Sequence, residues 1–339
     1  MIVSPTFSFL TSAYRTERSI AQTIASVLAQ TRGDWELIVV DNGMSEEMAA
    51  IVSAYVSDDR ITLIRQENTG VRGGVTAAAA VASGRYLCPL DSDDLLHPAY
   101  CERVGAVIES NPGVDAVGSD AEMFDDLGDG KAITTYFESI GRSSRADANR
   151  AVSLPDMFAD GVPVYTGAFR RELWWALRAY DPHVTDVEPD VALWLEMAAA
   201  GHDIRVLPDR LTRIRVRAES LSHDHRSIEA FETRLDRTYR LASGIADDNT
   251  AVSRYPAVRR VRYARALRRA RWALLDGDIG GARAAAVAAF RLCRGPRAAL
   301  VIGGLYLMPN AMRRAHPLKN RGQRTLHGAW YRIARWRNQ

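Results

Sequence analysis

Residues 85–98 read RYLCPLDSDDLLHP, and the fold follows from how that stretch divides. Tyr86 to Leu90 is an apolar run of strand length, and Asp91, Asp93 and Asp94 crowd three carboxylates into the next four positions. Two like charges about 4 Å apart repel by about 1 kcal/mol in water and about 4 kcal/mol at an effective dielectric near 20. A divalent cation is the natural compensation. Hard carboxylate oxygens suit Mg2+ or Mn2+, which bind through one or two carboxylates plus the phosphates of a substrate. Asp93 is the first choice as direct ligand, with Asp91 reaching a ribose or a metal-bound water. The competing reading makes Asp93 or Asp94 the cap of a helix starting near Leu95.

The flanking sequence says what kind of strand this is. Phe7 to Thr11 (FSFLT), Trp35 to Val40 (WELIVV) and Arg60 to Gln66 (RITLIRQ) are further strand-like runs. Between them, Ile20, Ile24, Val27 and Leu28 recur at helical spacing after Thr16, a candidate N-cap, and MSEEMAAIVSAYV and VTAAAAVAS also read as helices. Continuous apolar strands alternating with helices imply an α/β fold, a mostly parallel sheet covered on both faces. Ligands then bind beyond the carboxyl ends of the strands. Asp41 and the Asp91–Asp94 cluster both fall at that edge. Asp41 is either an acceptor for a nucleobase or ribose, or a turn residue of Asp-Asn-Gly.

The polar stretch 125–150 is expected as a loop, and the pattern is helical from about residue 222 to the end. The chain is long enough for about two domains. We place the boundary between an α/β domain, 1–221, and a basic helical region, 222–339, with a helical hairpin turning at DGDIGG. The 339 residues carry a net charge of only +3, but residues 252–339 hold 20 Lys+Arg against 2 acids, leaving the front of the chain at −15. Such a tail suits an anionic membrane surface, or packing against the acidic front or another copy; no nucleic-acid motif accompanies it. The 3 scattered cysteines indicate neither disulfide framework nor zinc site and fit a cytoplasmic setting. No signal peptide or spanning helix is expected: the longest late uncharged run, Ala298 to Met312, is shorter than the about 20 residues a span requires.

Three blocks in order carry a resemblance: SFLTSAYRTERSIAQTIASVLAQTRGDWELIVVDNG, ENTGVRGGVTAAAAVASGRYLCPLDSDDLLHP and PDVALWLEMAAAGHDIRVLPDRLTRIRV. Together they resemble the family 2 glycosyltransferases, inverting enzymes of GT-A fold, over the first two-thirds of the chain. The resemblance implies transfer of a sugar from a nucleotide-diphospho-sugar, with uridine the expected base, to a glycan or lipid-linked acceptor at the inner face of the membrane. It implies that Ala13 and Tyr14 line the nucleobase pocket and that Asp41 contacts the base or ribose. Asp91-Ser92-Asp93 would hold nucleotide and metal, and Asp190 would act as general base. Arg217 stands where a His near the diphosphate is frequent. Asn42 replaces a frequent second Asp. Val75 and Thr76 replace an Arg-Asn pair, with Arg72 a compensating cation. Pro189 replaces a frequent Glu. A nucleotidyltransferase and a nucleotide-sugar-binding protein without turnover are the alternative readings. A homo-oligomer is left open.

Overall fold

The computed structural model describes residues 4–125, 131–142, 145–216, 225–244 and 255–314. The chain order is β1 (Phe7–Ala13), α1 (Ile20–Leu28), β2 (Trp35–Asn42), α2 (Glu46–Ser53), β3 (Ile61–Gln66), α3 (Gly70–Val81), β4 (Tyr86–Pro89), β5 (Leu95–Leu96), α4 (Tyr100–Ser110), β6 (Ala116–Asp125), β7 (Ala132–Thr135) and α5 (Tyr136–Ser139). Then come α6 (Leu154–Asp160), β8 (Ala168–Arg170), α7 (Arg171–Ala176), α8 (Pro189–Ala199), β9 (Ile204–Val216), α9 (His225–Ala242), α10 (Pro256–Asp276), α11 (Ile279–Leu292) and α12 (Pro296–Leu307). Two compact units divide after Val258. The sequence-based boundary at 221/222 falls among undescribed residues, and the first unit continues through α9.

One sheet runs through the first unit in the order β3-β2-β1-β4-β8-β6-β9-β5, with β7 paired to β6. The strands β3, β2, β1 and β4 are mutually parallel, whereas β8 runs antiparallel to both β4 and β6. Side-chain alternation sorts β1 and β2 onto two cores. Phe7, Phe9, Leu37 and Val39 pack with Ile20, Ile24, Val27 and Val104 on one face; Leu10, Ile38 and Val40 pack with Val75, Ala78, Phe169 and Trp194 on the other. Burial on both faces is why these strands read as continuous apolar runs. α3 approaches β1 so closely that a Cβ on Gly74 would lie 2.0 Å from Ser12 Oγ, so a glycine is required there.

Three local expectations change. Leu95 and Leu96 form a strand paired antiparallel with Arg213 and Thr212, and the next helix starts only at Tyr100; the Asp cluster therefore caps no helix at Leu95. Thr16 is not the cap of α1, whose N-cap is Ser19. The stretch 125–150 is not all loop: β7 and α5 lie within it, and Thr135 and Glu138 close a capping box on α5. The described part of the second unit is helical. α10 and α11 turn at Gly277, and Asp278 caps α11 by accepting from Gly281 N at 2.8 Å. No helix among the described residues is long and apolar enough to cross a membrane.

Candidate active site

The parallel register brings the carboxyl ends of four strands to one edge: Ala13 aligns with Asp41, Asp41 with Arg65, and Leu10 with Pro89. Ala13 is buried at the end of β1, and Tyr14 just beyond it is 43% exposed with the Arg15 guanidinium 5.0 Å from its ring centre. Asp41, although 1% exposed, is fully engaged. Its Oδ1 accepts from Ser45 N at 3.1 Å, and its Oδ2 pairs with Arg65 Nε at 3.1 Å. Both readings of Asp41 thus have a physical basis: it closes the turn into α2 and sits at the ligand edge.

Asn42 has a different use from the Asp it replaces. Its Nδ2 donates to Gly70 O at 2.9 Å, and its Oδ1 accepts from Thr69 N at 3.1 Å and Gln66 Nε2 at 2.9 Å. An amide can serve both donors and acceptors, which a carboxylate cannot. The Glu67–Gly74 stretch is thereby fastened to β2 from below.

The Asp91–Asp94 loop is held from three sides. Ser92 is buried; its Oγ accepts from Thr16 Oγ1 at 2.9 Å and its carbonyl from Ser19 Oγ at 3.3 Å. Thr16 and Ser19 therefore tie the loop after β1 to this one. Asp94 is 3% exposed and accepts from Tyr165 Oη at 2.5 Å and Arg215 N at 2.7 Å. Burial first, then Asp91 and Asp93, push its carboxyl well above the usual range. The Arg215 side chain donates through Nε to the Asp93 carbonyl at 2.8 Å and through Nη2 to Gln22 Oε1 at 2.7 Å. Asp94 thus fixes the loop, while Asp91 and Asp93 carry its outward chemistry.

Asp91 is reached by solvent yet walled by protein. That environment, then Asp93 and Asp190, push its carboxyl up to about 7. Among the described residues, the charged groups that act on it, Asp93 and Asp190, are both negative. Asp190 lies in the first turn of α8, where burial raises its carboxyl, while its backbone N–H bonds and Arg72 pull it down. The buried hydroxyls of Tyr136 and Tyr180 are within electrostatic reach of Asp190. Arg72, half-buried on α3, donates to the Val187 carbonyl beside α8, and Thr76 Oγ1 donates to Tyr180 O at 3.0 Å. Thus α3 supports the segment that carries Asp190. A cavity of about 190 Å³, lined by Arg72, Tyr180, Pro189 and Glu196 among others, opens beside it.

Glu188, the N-cap of α8, is anchored by α9: Arg234 Nε meets its Oε1 at 2.6 Å, and its N–H donates to Thr238 Oγ1 at 2.9 Å. The structure therefore brings Asp93 and Asp190 within electrostatic reach of Asp91, and Arg72 within reach of Asp190, with Ser92 buried in the same loop and Ala13, Tyr14 and Asp41 further along the same edge. Arg217 lies outside the described residues. Residues that sequence reasoning missed are Arg215, Tyr165, Tyr136, Tyr180 and the Glu188–Arg234 pair. Glu188 two residues before Asp190 was the one local signal; the others depend on contacts made far along the chain.

The cation called for by the Asp cluster fits this donor set. Among the described residues no three or more His, Cys, Asp or Glu side chains converge as a protein-only cage. Two adjacent carboxylates under mutual repulsion suit an ion that takes its remaining ligands from phosphates and water.

Residues 8–171 match the family model described as Glycosyl transferase family 2. EpsE of Bacillus subtilis (strain 168), described as a glycosyltransferase, is 27% identical over 217 residues, covering 62% of this chain and 73% of its own. WfgD of Escherichia coli, named a UDP-Glc:alpha-D-GlcNAc-diphosphoundecaprenol beta-1,3-glucosyltransferase, is 39% identical over 89 residues, 26% of this chain and 35% of its own. Among solved structures, mannosyltransferase PcManGT from Pyrobaculum calidifontis, in complex with GDP-Man and Mn2+, superposes with a TM-score of 0.58 over 92% of this chain and 84% of its own. At 16% identity that likeness is one of fold.

Proposed function

Because residues 8–171 belong to glycosyl transferase family 2 and the chain is a glycosyltransferase, we propose that it moves a sugar from a nucleotide-diphospho-sugar to an acceptor hydroxyl, with inversion at the anomeric carbon. The observation that carries this reading is the convergence of acids at the sheet edge. Asp91 and Asp93 repel one another just beyond β4, and Asp190, in the first turn of α8, adds to the negative charge on Asp91.

In this reading Asp190 accepts the proton of the acceptor hydroxyl. The oxygen attacks the anomeric carbon, and the bond from that carbon to the diphosphate oxygen breaks, so the nucleoside diphosphate leaves with the electron pair. A base raised above the ordinary carboxylate range is better matched to a hydroxyl at neutral pH. The backbone N–H groups of Val191 and Asp190, and then the Arg72 guanidinium, limit how far Asp190 rises. Asp91 and Asp93 would hold a divalent cation, which would supply counter-charge to the leaving diphosphate. Ala13, Tyr14 and Asp41 hold the nucleoside, and Arg217 keeps only the diphosphate role that the resemblance implies. The donor is a UDP-sugar and the acceptor lipid-linked; the support for both is WfgD, whose name carries a UDP-Glc donor and a diphosphoundecaprenol acceptor. The support for Mn2+ or Mg2+ is PcManGT, solved with Mn2+.

The test is a thermal-shift panel of UDP-, GDP-, dTDP- and CDP-sugars, with and without Mn2+, on the wild type and Asp93→Ala. Stabilisation by one nucleotide class that needs the metal and disappears in Asp93→Ala is the expected result. A shift indifferent to both metal and Asp93, or no shift with any donor, overturns the assignment of the Asp91–Asp93 pair.

A further inference from the structure

The second unit contains a helix that is apolar on both sides. From Ala298 to Met312 no residue is charged. One face of α12 is packed: Ala298 and Leu305 are buried, and Val301, Ile302 and Leu305 join Ala282 and Ala286 of α11 in a small core. The opposite face points Leu300, Gly303 and Leu307 outward at helical spacing, and Leu300 and Leu307 are 76% and 81% exposed. Tyr306 and Met308 widen the apolar patch, and the Arg283 guanidinium lies 4.4 Å from the centre of the Tyr306 ring. A surface helix ordinarily turns a polar face to water, and an exposed apolar patch marks an interaction site.

The rim of the patch says what the partner is. Exposed Arg291 and Arg294 stand before the helix, exposed Arg297 in its first turn, and exposed Arg313 and Arg314 after it. Residues 259–314 contain 13 arginines, 2 aspartates and no lysine. A second copy would set two such basic surfaces against each other. The remaining chain, 315–339, is itself basic, with Lys319 and five arginines and no acid, and is repelled for the same reason. The helix is 12 residues, about 18 Å at 1.5 Å per residue, against about 30 Å of hydrocarbon. It is too short to span a bilayer and too apolar to face water.

We propose that the outer face of α12 docks on an anionic lipid surface, lying in the membrane plane with Leu300 and Leu307 inserted and the flanking arginines on the headgroups. This is the geometry of interfacial helices. It moves the membrane contact from the arginine-rich α10, where composition alone would put it, to a stretch whose charges lie only at its ends. It does not depend on which sugar is transferred or on the roles assigned to Asp91, Asp93 and Asp190.

Co-sedimentation of the full chain with phosphatidylcholine vesicles, with and without phosphatidylglycerol, tests it. The wild type binds only the phosphatidylglycerol vesicles, and added salt weakens binding. The double variant L300S/L307S loses partitioning by tenfold or more, about the loss for each exposed leucine side chain that no longer inserts. R297Q/R314Q loses about fivefold per arginine. Both variants keep the donor-dependent thermal shift of the wild type, which separates this proposal from the donor-site reading and confirms folding. Equal vesicle binding by the wild type and L300S/L307S overturns it, as does no binding to phosphatidylglycerol vesicles at low salt. A self-association of the wild type that L300S/L307S abolishes also overturns it, because a second copy then covers the face.

Discussion

Two carboxylate sites share the same edge of the sheet and are treated in opposite ways. At the end of β2, Asp41 is buried but paired, with Arg65 on one oxygen and the Ser45 N–H on the other. At the end of β4, Asp91 is more open to solvent, yet among the described residues it meets further negative charge, from Asp93 and Asp190. Charge that serves the fold is compensated by the fold. Charge left uncompensated among its own kind raises free energy in the absence of a ligand, and it persists where a ligand supplies the counter-charge.

The comparison is broken most severely at Asp190. Asp190→Asn should lower kcat by about 10²–10⁴-fold, the range for a lost general base, while donor affinity stays within about twofold. A turnover assay with donor titration checks both, and equal loss in binding and turnover would return Asp190 to a helix N-terminal acid. Next come two substitutions of opposite sign. Asp41→Asn removes a buried charge partner and should destabilise the metal-free protein by about 2 kcal/mol. Asp91→Asn removes a repelled charge and should raise the thermal midpoint above pH 7. Two destabilisations of equal size in chemical denaturation would erase the distinction between the sites.

The pH dependence of stability sharpens it further. A carboxyl whose folded value is raised keeps a proton that the unfolded chain has already released. The stability it contributes is complete below the unfolded value near 3.8 and is lost as pH rises through the folded value. For Asp91 that window runs from about 4 to about 7, and Asp190 acts in the same direction. The metal-free thermal midpoint should fall across it, Asp91→Asn should flatten the fall, and Mn2+ should offset it. The smallest effect is expected at Arg215. Arg215→Met removes the bonds to the Asp93 carbonyl and Gln22 but leaves the backbone bond to Asp94. Metal affinity should drop about tenfold, about 1.4 kcal/mol, read as a shift in the Mn2+ midpoint of donor-dependent stabilisation.

Much of the first unit was legible because its signals are local. Continuous apolar runs ending in Asp41 and Asp91 reflect burial on both faces, and helical spacing in Ile20, Ile24 and Val27 reflects one packed face. The failures have one physical source. Leu95-Leu96 is a strand because Thr212 and Arg213 come alongside it, more than a hundred residues later. The Thr16 hydroxyl goes to Ser92 instead of to its own helix. Tyr136 lies in a stretch whose composition reads as loop, yet it reaches the neighbourhood of Asp190.

The sequence by itself determined the α/β alternation, the edge on which Asp41, Asp91 and Asp93 fall, the resemblance that pointed to Asp190, and the basic character of the tail. These depend on periodicity, strand ends and charge counts, which each stretch carries alone. Only the tertiary structure decided which acid is paired and which is repelled, that Asp94 belongs to the fold, that Asn42 fastens the Glu67–Gly74 stretch, and which face of α12 is left bare. Those outcomes depend on which groups long-range packing brings within a few ångströms, where the local dielectric and the sign of the neighbouring charge set what each side chain can do.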